Sequence, residues 1–131
     1  MKSAIANWLA SADYDLGTAE AMLKSRRYLY VVFMCHLAIE KTLKALYSAS
    51  KAKMPPKTHD LLFLVAEIGL TAPKQQVDFL GIVNNASIPT RYPEDLKKLV
   101  SQYPRRTGIS YLNRTKRIIT CLRADPRLAP R

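Results

Sequence analysis

The stretch from Tyr28 to Ser50, YLYVVFMCHLAIEKTLKALYSAS, decides how the rest of the chain is read. At a period of 3.6 residues it is apolar on more than one side: Tyr28, Val31, Val32, Cys35, Ile39 and Leu46 fall along one line, and Phe33, Met34, Leu37 and Tyr47 along others. The β-branched pair Val31-Val32 suits a strand, but the run from Leu37 to Leu46 is rich in strong helix formers. A helix that is apolar all round belongs in the middle of a bundle. It stops near Met54-Pro55-Pro56, because proline has no amide donor and disfavours helical geometry in the residue before it.

Upstream, Ile5, Trp8, Leu9, Ala12, Leu16, Ala19, Met22 and Leu23 step by threes and fours, which predicts an amphipathic helix from Ser3, its N-cap, to about Lys24. Downstream, Thr58 reads as the N-cap of a third helix over His59 to Ile68, with Gly69 as its stop. Pro73 opens a fourth helix, Lys74 to Ala86, which Pro89 ends. Ile88 to Arg106 is then the longest irregular stretch, with one short turn of helix at Glu94 to Ser101. Thr107 to Arg123 forms the last helix. The expected fold is all-α, an up-and-down antiparallel bundle of four to five helices over residues 1–124, followed by a flexible basic tail at 125–131.

A chain of 131 residues, 48% of them hydrophobic, can bury the core of one domain without metal or disulfide staples. Its longest apolar stretches fall far short of the roughly 20 residues needed to cross a bilayer. Asp13 and Asp15 interrupt the start before a secretory leader could form, so a cytoplasmic protein that does not enter the membrane is expected. Cys35 and Cys121 lie among apolar residues with no second ligand at metal spacing, and both read as reduced core thiols. Lys and Arg number 21 against 10 acidic residues, a formal charge of +11 that attracts polyanions such as nucleic acid, nucleotides or an acidic protein. The four glycines form no phosphate-cradling loop, and no zinc motif is present, so neither a metal nor a cofactor is expected.

Four pieces follow one another in order: Trp8 with Ala12, Asp15 and Leu16; Ala38-Ile39-Glu40-Lys41-Thr42-Leu43-Lys44-Ala45-Leu46; Pro55-Pro56-Lys57-Thr58-His59-Asp60-Leu61; and Thr90-Arg91-Tyr92-Pro93-Glu94. Together, over roughly Asn7 to Leu122, they resemble the HEPN domain, a nucleotide-binding helical family of prokaryotes and eukaryotes. The resemblance implies a helical bundle that forms a two-fold homodimer, and partnership with a minimal nucleotidyltransferase in a toxin-antitoxin arrangement. Family members active as ribonucleases carry an Arg followed, four to six residues later, by a His. Here Arg91 stands in that region, but Tyr92 to Lys98 contain no histidine, and His36 and His59 both lie upstream. The group that would move a proton near neutral pH is missing from that place, so no catalytic residue is assigned.

Five residues are candidates for nucleotide or RNA contact. Arg91-Tyr92 joins a planar phosphate-binding fork to an aromatic face on which a base can stack; alternatively Arg91 anchors its loop on Glu40, Asp60 or Glu94. Glu40 and Lys44, four apart, form either a structural ion pair or, as the resemblance implies, a phosphate-holding lysine with its orienting carboxylate. His59 either organises a helix start or joins a phosphate site there. His36 reads as a satisfied core or interface histidine. The expected function is a nucleotide- or RNA-binding module. The alternatives are a metal-independent ribonuclease using His59 and Arg91, and a pure protein-interaction module.

Overall fold

The structure, a computed structural model, describes residues 1–128. Six helices follow in order: α1 Lys2–Lys24, α2 Tyr28–Lys51, α3 Leu61–Ile68, α4 Lys74–Arg91, α5 Leu96–Ser101 and α6 Arg105–Arg123, with no strand among the described residues. Helix α2 is the centre of the bundle and packs against α1, α3, α4 and α6. It buries Ile39, Leu43 and Leu46, which cluster with Leu61 and Leu64 of α3, Phe79, Leu80 and Val83 of α4, and Ile118, Ile119 and Leu122 of α6, and it buries Val31 and Cys35, which cluster with Ala19 of α1 and Leu112 of α6. No helix of the described residues is long and apolar enough to cross a membrane.

Several boundaries differ from expectation. Helix α1 starts at Lys2 with Met1 at the cap and no side-chain cap bond, so Ser3 does not cap it. The third helix starts at Leu61, and its cap is Asp60, not Thr58: the Asp60 carboxylate accepts from the amides of Leu62 and Phe63, both at 3.1 Å. A carboxylate at a helix start also meets the positive end of the helix dipole, which the Thr58 hydroxyl cannot match. Thr58 instead accepts from the Asp60 amide at 3.1 Å, shaping the turn that leads in.

The correction with the largest consequence is at Pro89, which does not end α4; the helix continues to Arg91. The carbonyl that loses its partner is that of Asn85, an exposed residue. Val83, Ala86 and Thr90 are buried along one face and hold the extra turn on the bundle. Arg91 is therefore a helical residue and not part of a long loop. Helix α6 likewise begins two residues early, at Arg105, and the irregular stretch shrinks to two short connections around α5.

Two helix ends close with the same bond pattern. After α3, Gly69 (φ 73°) donates to Ala66 and Leu70 to Val65; after α1, Arg26 (φ 63°) donates to Leu23 and Arg27 to Met22. Glycine suits this left-handed position. Arginine there costs about 1–2 kcal/mol.

Cys35 is fully buried, and burial pushes its thiol up to about 12, which leaves it inert. Cys121 is exposed and is not the core thiol expected. The tail expected from residue 125 is described as far as Leu128. Arg127 bonds the Asp125 carboxylate at 2.8 Å and the Ile68 carbonyl at 3.2 Å, and Leu128 packs on the core. Residues 129–131 of that tail lie outside the described residues.

Candidate functional site

His36, Glu40 and Lys44 are four residues apart on α2, so helical geometry stacks them on one face. All three are buried, with Glu40 only 3% exposed. Three other elements reach this stripe: the connection before α3 brings His59, the last turn of α4 brings Arg91, and α1 brings Trp8.

The Glu40 carboxylate is the hub. Oε2 accepts from Lys44 Nζ at 3.1 Å, and Oε1 from His59 Nδ1 at 2.8 Å. Arg91 Nη2 stands 3.9 Å from the same Oε1, close enough for charge attraction but too far for a hydrogen bond. Lys44 also lies 5.5 Å from the centre of the Trp8 ring, and the Arg91 guanidinium 4.8 Å from that of Phe33, placing each cation on an aromatic face.

His36 fixes the position of His59. Its Nε2–H donates to the His59 carbonyl at 2.9 Å, and this assigns the tautomer and leaves Nδ1 as a bare lone pair 3.8 Å from Glu40 Oε1. Nδ1 has no hydrogen-bond partner. Burial, opposed by the Glu40 charge, lowers the His36 pKa to about 4 and keeps the ring neutral. Asn84 secures the other side of His59: it accepts from the Leu61 amide at 2.9 Å and donates to Asp60 at 3.1 Å, tying the start of α3 to α4.

The cluster has one carboxylate for two permanent cations, Lys44 and Arg91, so it carries excess positive charge. The Arg91 side chain is 16% exposed, and its Nε and Nη2 atoms are shielded from water without a partner. His59, by contrast, has a side chain 62% exposed, anchored at Nδ1 and otherwise open to solvent. Beside the cluster lies an open crevice of 550 Å³ lined by Arg91, Tyr92, Phe33, Tyr30, Met34 and Thr90, among others. Among the described residues no three His, Cys, Asp or Glu side chains gather to hold a metal.

Four of the five sequence candidates, Glu40, Lys44, His59 and Arg91, thus meet at one carboxylate. Tyr92 does not; it is 73% exposed and lines the crevice alongside Arg91. Of the three partners proposed for Arg91, Glu40 is the one within ion-pair distance. Trp8, Phe33 and Asn84 were not foreseen as parts of the site. They act across helices, where sequence spacing gives no signal.

The family model described as the HEPN domain matches residues 5–124. The crystal structure of TT1696 from Thermus thermophilus is similar, with TM-score 0.78 and 24% identity over 90% of this chain and 94% of that one. So is ST0689, titled an archaeal HEPN homologue, with TM-score 0.71 and 20% identity over 91% of this chain and 94% of that one. No curated protein sequence matches. The two structures, at these identities, support the fold, and the family match over nearly the whole length supplies the rest: the chain belongs to the HEPN domain family.

Proposed function

We propose that this HEPN domain binds the phosphate of a nucleotide or of RNA where Arg91 meets the crevice, with Lys44 adding to the local field, His59 offering a ring nitrogen at the rim and Glu40 holding all three. The observation that carries this reading is the guanidinium of Arg91, buried against Phe33 with two nitrogens unpartnered. The same side chain lines the crevice and keeps 16% of its surface exposed there, so an anion in the crevice would give the guanidinium the charge-assisted partner that the fold does not. Tyr92, exposed on the same crevice, offers a face for a base. The exposed apolar side chains of Ile88 and Tyr92 beside it make a surface that a second copy would cover, in keeping with the two-fold homodimer. Partnership with a minimal nucleotidyltransferase in a toxin-antitoxin pair rests on family membership.

Arg91→Ala is expected to weaken binding of a nucleotide or short RNA at low salt by about tenfold or more, because charge-assisted hydrogen bonds are lost. Its melting temperature should stay within about 2 °C, since the change also removes two unpartnered buried donors. Titration calorimetry alongside a thermal melt checks both. Unchanged binding with a large fall in melting temperature would assign Arg91 to structure.

One arrangement favours a second reading, ribonuclease activity. With Nδ1–H given to Glu40, the other ring nitrogen of His59 is the one left to exchange a proton with RNA, and Arg91 approaches the same carboxylate oxygen. Total RNA incubated with stoichiometric protein should then be cut, and His59→Ala should stop the cutting. Intact RNA, or cleavage that survives the substitution, removes this reading.

A further inference from the structure

At the end of the bundle where α1 turns into α2, an open crevice of 580 Å³ is lined by Lys24, Arg26, Arg105, Tyr28 and Leu23. Its lining contains three cations and no carboxylate. Among the described residues none of the three cations is in an ion pair. Glu20, whose carboxylate feels Lys24 weakly, is engaged by Lys116. Three cations around one hollow that no carboxylate lines form a field that suits a compact polyvalent anion.

The hollow continues into a second, smaller one. Arg26 and Tyr28 also line a cavity of 190 Å³ whose other walls include Tyr30, Tyr103, Leu96 and Val100. Three tyrosines with Leu29, Leu96 and Val100 make this lining largely aromatic and apolar. Tyr28, which lines both hollows, lies against Gly108 in the first turn of α6, the turn that also carries Arg105.

Arg26 holds the left-handed position that glycine takes at the matching end of α3, so glycine fits its backbone without strain.

We infer that this end of the bundle is a second ligand site that takes a phosphate ester bearing a flat ring, a nucleoside monophosphate being the simplest, with the phosphate among Lys24, Arg26 and Arg105 and the ring against Tyr28 and Tyr103. The site is separate from the Glu40 cluster and does not depend on the function proposed there.

AMP, ribose 5-phosphate and adenosine serve as probes, titrated into the full-length chain at low salt while backbone amide NMR shifts are followed. AMP should move amides around Lys24 to Leu29 and Arg105 to Gly108; ribose 5-phosphate should do so more weakly, and adenosine least. Arg26→Gly is the decisive variant, because it removes the guanidinium while relieving the backbone, so it should melt no lower than the parent. It should weaken AMP binding at these amides by about tenfold. Arg91→Ala should leave the same shifts in place, whether or not it abolishes shifts near His59 and Thr90. The inference is overturned if AMP leaves the Lys24 and Arg105 regions unmoved. It is equally overturned if Arg26→Gly binds AMP as the parent does, or if adenosine binds there as well as AMP.

Discussion

Glu40→Ala is expected to destabilise the fold by about 3–5 kcal/mol, because it strips the counter-charge from Lys44 and Arg91 while both remain largely buried. The same change leaves His59 Nδ1 without its acceptor and frees the connection before α3. In a thermal melt the midpoint should fall by roughly 10 °C or more. A paired Lys44→Met substitution should restore part of the loss, since removing both members of a buried pair costs less than orphaning one. A loss below about 1 kcal/mol would mean that water or another group already compensates the cations, and that the carboxylate is not the hub.

Acid should act through His36. Its pKa in the fold is depressed to about 4 against the ordinary 6.5, so between those values the unfolded chain takes up a proton that the folded chain refuses. The stability this contributes is fully present above pH 6.5 and is lost as pH falls toward 4, reaching roughly 3 kcal/mol at the lower end. Burial sets the direction, the Glu40 charge opposes it, and the charge of Arg91 reinforces it. His36→Leu keeps the site apolar and removes the titration. Melts from pH 7 down to pH 4.5 should therefore show a steeper decline for the parent than for the variant, and parallel declines would refute the assignment. At neutral pH the variant should be somewhat less stable, because the His59 carbonyl loses its donor.

Much of this architecture is legible in the sequence, and the exceptions have physical causes. The all-round apolarity of α2 announces its central place, and the four-residue spacing of Glu40 and Lys44 announces their pair. Both are regularities within one helix, and helical period is the strongest signal a sequence carries. Arg91 is identifiable as a candidate but not by its setting, because the penalty for Pro89 inside a helix is visible in sequence whereas the burial of Val83, Ala86 and Thr90 that offsets it is not. Tyr92 next to Arg91 suggests a shared site, yet one residue further along the chain the side chain leaves the cluster and faces the crevice. The cap of α3 falls to Asp60 over Thr58, a choice between two good caps two residues apart that Asn84, 24 residues later, helps to settle. Contacts between elements are the part that spacing does not encode.

Pro89 has one more effect. Because it offers no amide to Asn85, the closing turn of α4 is tethered by one rung fewer than the turns before it, while Ser87 and Thr90 spend their hydroxyls on carbonyls of the same helix. Packed side chains, Ala86 and Thr90 foremost, therefore anchor that turn more than the backbone ladder does. The placement of the guanidinium depends on that strip of packing, one residue away from it in the chain.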